Sequence, residues 1–107
     1  MKITPEEIHF EFNRNTYWTR IAAESDSGRK STILVCAPRN CISDHYRIPT
    51  MANQDDAQRF FDEVVLADIR QEFEGGELDR EVYYKVYSMT PEGQQNGMEF
   101  LQNEVTP

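Results

Sequence analysis

The chain has 107 residues, 38% of them hydrophobic and 11% aromatic, with 19 Asp and Glu against 11 Lys and Arg. That length has room for one domain with a modest core, and a charged fraction of 28% is ordinary for a folded chain, which excludes wholesale disorder. A net charge of −8 and a pI near 4.7 argue against binding to nucleic acid or to an anionic membrane, since both need a basic surface.

The start Met-Lys-Ile-Thr-Pro-Glu-Glu lacks the apolar stretch of a secretory leader, and no window approaches a membrane span. The sequence therefore predicts a cytoplasmic protein whose two cysteines, Cys36 and Cys41, stay reduced. Thr4-Pro5-Glu6-Glu7 has the grammar of a helix start, but Ile8, Phe10 and Phe12 alternate with His9 and Glu11. The reading is one turn leading into a strand near 7–13, with a short helix as the alternative. Asn13-Arg14-Asn15 is a turn cluster. From Thr16 to Ala23 a second strand puts Tyr17, Thr19 and Ile21 on one face, with Trp18 and Arg20 on the other. Ser25-Asp26-Ser27-Gly28 is the clearest turn. The apolar run Thr32-Ile33-Leu34-Val35-Cys36 fits a strand buried on both faces. Ala37-Pro38-Arg39-Asn40 breaks it, and Tyr46-Arg47-Ile48 is a candidate short strand stopped by Pro49.

The main helix follows, over about 54–74. Asn53 caps it, Asp55 and Asp56 suit its positive end, and Gly75-Gly76 stops it. Phe61, Val65, Ile69 and Phe73 recur every four residues, which makes a core stripe that rotates as it descends. Asp68 and Glu72 fall at the edge of that stripe. Residues 81–87 read as a further strand, with Val82, Tyr84 and Val86 facing one way and Tyr83, Lys85 and Tyr87 the other. Thr90-Pro91-Glu92 begins a last helix that Gly93, Asn96 and Gly97 weaken, so residues 90–107 read as a short or loosely docked tail. The expectation is a single α+β domain over 1–107: an antiparallel sheet of about four to five strands, one long helix packed on a face, and a short C-terminal helix.

Few residues suggest chemistry. Cys36, Cys41 and His45 are spaced C-x4-C-x3-H but lack a fourth zinc ligand, and Cys36 ends an apolar strand. Ser43-Asp44-His45 holds triad residue types as sequence neighbours, which point in different directions. No phosphate-binding glycine loop and no calcium loop is present. The expectation is no enzyme activity, no catalytic residues, no metal and no cofactor.

The charge is the functional signal. Residues 1–53 carry a net +1 and residues 54–107 a net −9. Asp55–Arg59, Arg59–Glu63 and Arg70–Glu74 are helical pairs that offset part of this. Asp62, Asp68 and Glu72 have no basic residue at helical spacing, and Glu77, Asp79 and Glu81 extend the negative field toward Tyr83 and Tyr87. These eight residues are the expected partner-binding patch. The partner would be a larger protein with a basic surface, normally occupied by phosphates.

The favoured function is a non-catalytic inhibitor that blocks a nucleic-acid-handling site. Phage-encoded anti-defence proteins such as anti-CRISPR proteins share this size and charge and the lack of catalytic residues. Immunity proteins that neutralise nuclease toxins are the second possibility. The likeness is one of profile and covers no aligned residues. A third possibility is an assembly subunit, or a homodimer, that pairs through the strand near 82–87. No direct nucleic-acid or membrane contact is expected, and the chain would be monomeric or homodimeric.

Overall fold

The computed structural model describes residues 1–73 and 76–106. Five strands form one sheet: β1 (Lys2–Pro5), β2 (His9–Glu11), β3 (Thr16–Glu24), β4 (Lys30–Pro38) and β5 (Val82–Val86). The order is β1-β3-β4-β5, and β2 lies beside β3 in line with β1. Helix α1 (Arg39–Tyr46) follows β4, then a long helix of 19 residues, 54–72; after β5 comes a C-terminal helix of 15, 91–105. The α+β class and the helix on a face agree with the sequence reading.

The two central strands behave as their patterns require. Ile33, Leu34, Val35 and Cys36 are all buried, so β4 is covered on both faces. Tyr17, Ile21, Ala23, Ile33, Val35 and Ala37 face α1 and the long helix. Leu34 and Cys36 face the C-terminal helix through Phe100, Leu101 and Val105. The turn between β3 and β4 closes at Ser25–Gly28, where Gly28 takes φ +89°, a conformation that favours glycine.

One edge departs from expectation. Residues 2–5 are a strand, not a helical turn, and the strand expected near 7–13 shrinks to His9–Glu11. Pro5 pairs with Ile21 and His9 with Trp18, so three edge residues oppose two on β3, a one-residue bulge. Ile8 is turned inward to 6% exposure, and the buried Thr19 hydroxyl donates to the Glu6 and Glu7 carbonyls, both at 3.0 Å. Local grammar pointed to a helix because Thr-Pro-Glu-Glu satisfies capping rules. Pairing to β3 overrides it.

Tyr46-Arg47-Ile48 is not a strand. Arg39–Tyr46 is helical and Arg47 closes it at φ 55°, with its N–H on the Asp44 and Ser43 carbonyls. The sheet is also not wholly antiparallel: β5 runs parallel to β4, from Thr32 beside Val82 to Cys36 beside Val86. The reason is the crossover. A helix laid on one face returns the chain to the end of the sheet where β4 began, so the next strand runs the same way.

The long helix starts as predicted. Asn53 accepts from Asp56 N at 2.9 Å, and the Asp56 carboxylate accepts from Asn53 N at 2.8 Å. Its stripe Ala57, Phe61, Val65, Ile69 and Phe73 keeps the sheet side despite its four-residue spacing. On a regular helix such a series drifts by about 40° per step. The wide π turn at Phe61–Val65 absorbs one extra residue, about 100°, and realigns the stripe. Glu74 and Gly75 lie outside the described residues, and with them the expected Arg70–Glu74 pair and the first glycine of the stop.

The C-terminal helix uses the same device. Gly97, Leu101 and Val105 are four apart and a second π turn spans Leu101–Val105. The segment is packed, not loose: Leu101 and Phe100 are buried, and Arg14 pairs with Glu104 at 2.7 Å. Gly97, which weakens the helix in isolation, is where it meets the sheet. A Cβ there would stand 2.5 Å from Val86 Cγ1 and 3.1 Å from Cys36 Sγ.

Candidate functional site

The acids divide by flank. Asp68 and Glu72 descend the side of the long helix that faces β5. Tyr87 donates its hydroxyl to Asp68 Oδ2 at 2.7 Å, and Lys85 Nζ lies 3.0 Å from Glu72 Oε2. Below them Tyr83 donates to Asp79 Oδ1 at 2.7 Å, while its oxygen accepts from the backbone of Asp79 at 2.8 Å and Arg80 at 3.2 Å. Tyr83 packs edge-on against Phe73 and Tyr87 against Phe60. Both tyrosines are therefore half in the core, with only their oxygens in the polar seam.

Three of the eight expected residues lie elsewhere. Asp62 accepts from Gln58 Nε2 at 3.0 Å and lines a crevice with Pro5, Glu6 and Leu66, on the opposite flank of the helix. Glu77 accepts from Ser27 Oγ at 2.8 Å, at the β3–β4 turn. Glu81 lines a hollow with Lys2, Glu24 and Lys30. The expectation of unpaired acids is corrected too. Glu72 has an ion pair, supplied by the strand, not by its own helix. Lys85 was legible as a neighbour of Tyr83 and Tyr87 by strand alternation, yet helical spacing alone does not link it to Glu72. Of the two expected Arg59 pairs, the one with Glu63 forms at 3.2 Å and the one with Asp55 does not; Arg59 also stands over the Tyr46 ring at 4.2 Å.

The seam's electrostatics follow from these bonds. The Tyr83 hydroxyl holds the Asp79 carboxyl below its ordinary value. Burial, and then the Asp68 carboxylate, push Tyr87 well above an ordinary phenol. By formal charge the seam sets Asp68, Glu72 and Asp79 against Lys85, a net −2. Each carboxylate has several acceptor positions and spends only part of them on these partners.

The strand beside the seam has an open rim. Thr32 N donates to Glu81 O at 2.9 Å and Tyr87 N to Cys36 O at 3.0 Å. Residues 81 and 87 thus bond inward, and in a parallel ladder the same holds for 83 and 85. Val82, Tyr84 and Val86 turn their amides and carbonyls outward. Among the described residues only the Val86 carbonyl is taken, by Gln94 Nε2 at 2.9 Å.

A groove of about 470 Å³ lies at the carboxyl end of β5, which the sequence reading missed. Phe60, Val64 and Val86 give it an apolar floor, with Cys41, Asp44 and His45 of α1 along its rim. Cys41 and His45 share it because they stand one turn apart. Burial pushes the Cys41 thiol up, so it is held protonated and is a poor nucleophile. Ser43 is occupied elsewhere, donating to Arg39 O at 3.1 Å and accepting from Ala52 N at 2.9 Å. Cys36 lies under the other face, its thiol 3.9 Å from Gly97 O and pushed up to about 12. The two cysteines thus sit in separate environments, and no group of three or more metal-ligating side chains converges among the described residues. Met89, 90% exposed, overhangs the groove.

No helix among the described residues is long and apolar enough to cross a membrane. No family model, curated protein or solved structure matches the chain.

Proposed function

We propose that this is a non-catalytic binding protein of the cytoplasm that blocks a basic, nucleic-acid-handling surface on a larger protein. The observation that supports it is the row of Asp68, Glu72 and Asp79 along the outer strand, in the half of the chain that carries −9. Carboxylates spaced along a strand can meet Arg and Lys side chains that otherwise hold successive phosphates. The groove at the end of β5 gives such a partner an apolar anchor beside the charges. Blockade would be steric and electrostatic, with association that is fast and weakens as salt rises. Within this class the reading is an anti-defence protein of the anti-CRISPR kind, directed at the nucleic-acid channel of an RNA-guided nuclease.

The test is displacement. Labelled target DNA is bound to RNA-guided nucleases of several classes, and anisotropy is followed as the protein is added at low and high salt. One nuclease should release its DNA, less so at high salt. Glu72→Lys with Asp79→Lys should abolish release, and Asp62→Lys, on the other flank, should leave it intact. If no nuclease releases DNA, or if release ignores both salt and the double reversal, the reading is wrong. Parallel release from a nuclease toxin would move the protein to the immunity class.

A further inference from the structure

Resting on that acidic-surface reading, we propose that the partner engages β5 as an added strand: an extended segment with Lys or Arg on the long-helix side and apolar residues on the other. The two sheet edges differ in a way that selects β5. On β1 the Glu6 N–H bonds Arg20 O, so Pro5 is an outward position, and its missing N–H removes a donor from the rim. The bulge then breaks the line, and Gln54 Nε2 covers the Ile8 carbonyl at 3.2 Å. These are the devices by which natural edges avoid pairing. Among the described residues β5 has only one of them over Val82–Val86, the Gln94 amide on the Val86 carbonyl at 2.9 Å: it has no proline and no bulge, and the amides and carbonyls of Val82 and Tyr84 face outward.

Charge names the occupant. Residues of an added strand alternate between the two faces of the sheet. On one face they would lie beside Tyr83, Lys85 and Tyr87 and under Asp68 and Glu72, where the carboxylates outnumber the single lysine, itself held by Glu72, and favour cations away from Lys85. On the other they would lie beside Val82, Tyr84 and Val86, where apolar side chains extend the core around Phe100. A second copy of this chain suits the rim less well. Antiparallel pairing of two β5 strands puts both long helices on one side of the joined sheet, and so sets Asp68 and Glu72 of each against the other's.

The experiment uses the full chain, isotope-labelled, with a synthetic capped peptide of alternating lysine and valine. Two further peptides carry N-methyl groups on all the valines or on all the lysines, which blocks antiparallel or parallel pairing respectively. With saturating parent peptide, amide exchange at Val82 and Tyr84 should slow by about tenfold or more, and one of the two methylated peptides should lose binding. If the peptide binds in a salt-sensitive way but both methylated forms bind equally and those amides stay unprotected, strand addition is overturned while the acidic-surface reading stands. If no peptide binds even at low salt, both fail. Protection of Val82 and Tyr84 that rises with protein concentration alone would assign the rim to a second copy and overturn the proposal.

Discussion

The two edges of this sheet are held by different means. The β1–β2 edge is secured along its own rim: a bulge at 6–8, a proline at an outward position, and the Thr19 hydroxyl on two carbonyls. The β5 edge is secured only from above and below. Tyr83 and Tyr87 plug into the long-helix side, Val82, Tyr84 and Val86 into the C-terminal-helix side, and among the described residues the rim between them is left free at Val82 and Tyr84. An edge fixed by its faces can keep its shape while its backbone groups wait for a partner. An edge fixed by its rim cannot offer them. The difference is what makes β5 the stronger candidate surface.

The largest way to break this comparison is to remove what holds β5 from one side. Leu101 is fully buried at the wide turn of the C-terminal helix. Leu101→Ala should cost about 2–5 kcal/mol in urea unfolding, as buried leucine truncations do. Amide exchange on β5 should accelerate beyond the global change, while β1 follows the global change only. Equal loss at both edges would mean that they are not independently held.

A smaller perturbation acts on the other edge. Thr19→Val keeps the shape but strips the donor from the Glu6 and Glu7 carbonyls, and should cost about 0.5–1.5 kcal/mol, the net worth of a part-buried hydrogen bond. Thr19→Ser should recover most of it. Exchange should rise at residues 6–11 and leave β5 untouched. A valine variant as stable as the parent would show that the bulge holds itself.

How far the sequence reveals this difference depends on the range of the forces. The faces of β3, β4 and β5 follow from alternation, and the Asn53 and Thr90 caps from local chemistry, so all were legible. The bulge was not, because Thr4-Pro5-Glu6-Glu7 satisfies helix rules and only pairing with β3 decides otherwise. Tyr46–Ile48 misleads for a related reason: an aromatic and a β-branched residue alternate about Arg47 as in a strand, but Ile42 and Tyr46 pack as a helix on the core. At the site, helical spacing finds intrahelical pairs such as Arg59–Glu63. It cannot find Glu72–Lys85 or Asp68–Tyr87, which join elements 13 and 19 residues apart. It also cannot separate Asp62 from Asp68, since the wide turn between them resets the helix face.

The finest test of the β5 side is one phenol. Tyr87 donates to Asp68 from a half-buried position, and Tyr87→Phe should cost about 1 kcal/mol, since Asp68 regains water when the donor goes. The sharper readout is alkaline pH. Burial and Asp68 raise the folded-state value of Tyr87 above the ordinary 10.0. The unfolded chain therefore ionises this group first, the native state binds more protons, and stability must fall as pH climbs above 10.0. Below that pH the contribution is fully present. Cys36, Cys41 and Tyr46 are shifted in the same direction, so the parent's slope alone does not isolate Tyr87. The difference does: Tyr87→Phe should unfold with an alkaline slope shallower by up to about one proton. Ultraviolet titration of the native parent should show one tyrosine more resistant to ionisation than in the variant. Identical slopes would mean that Tyr87 is solvated, and that the long helix does not clasp β5 at Asp68.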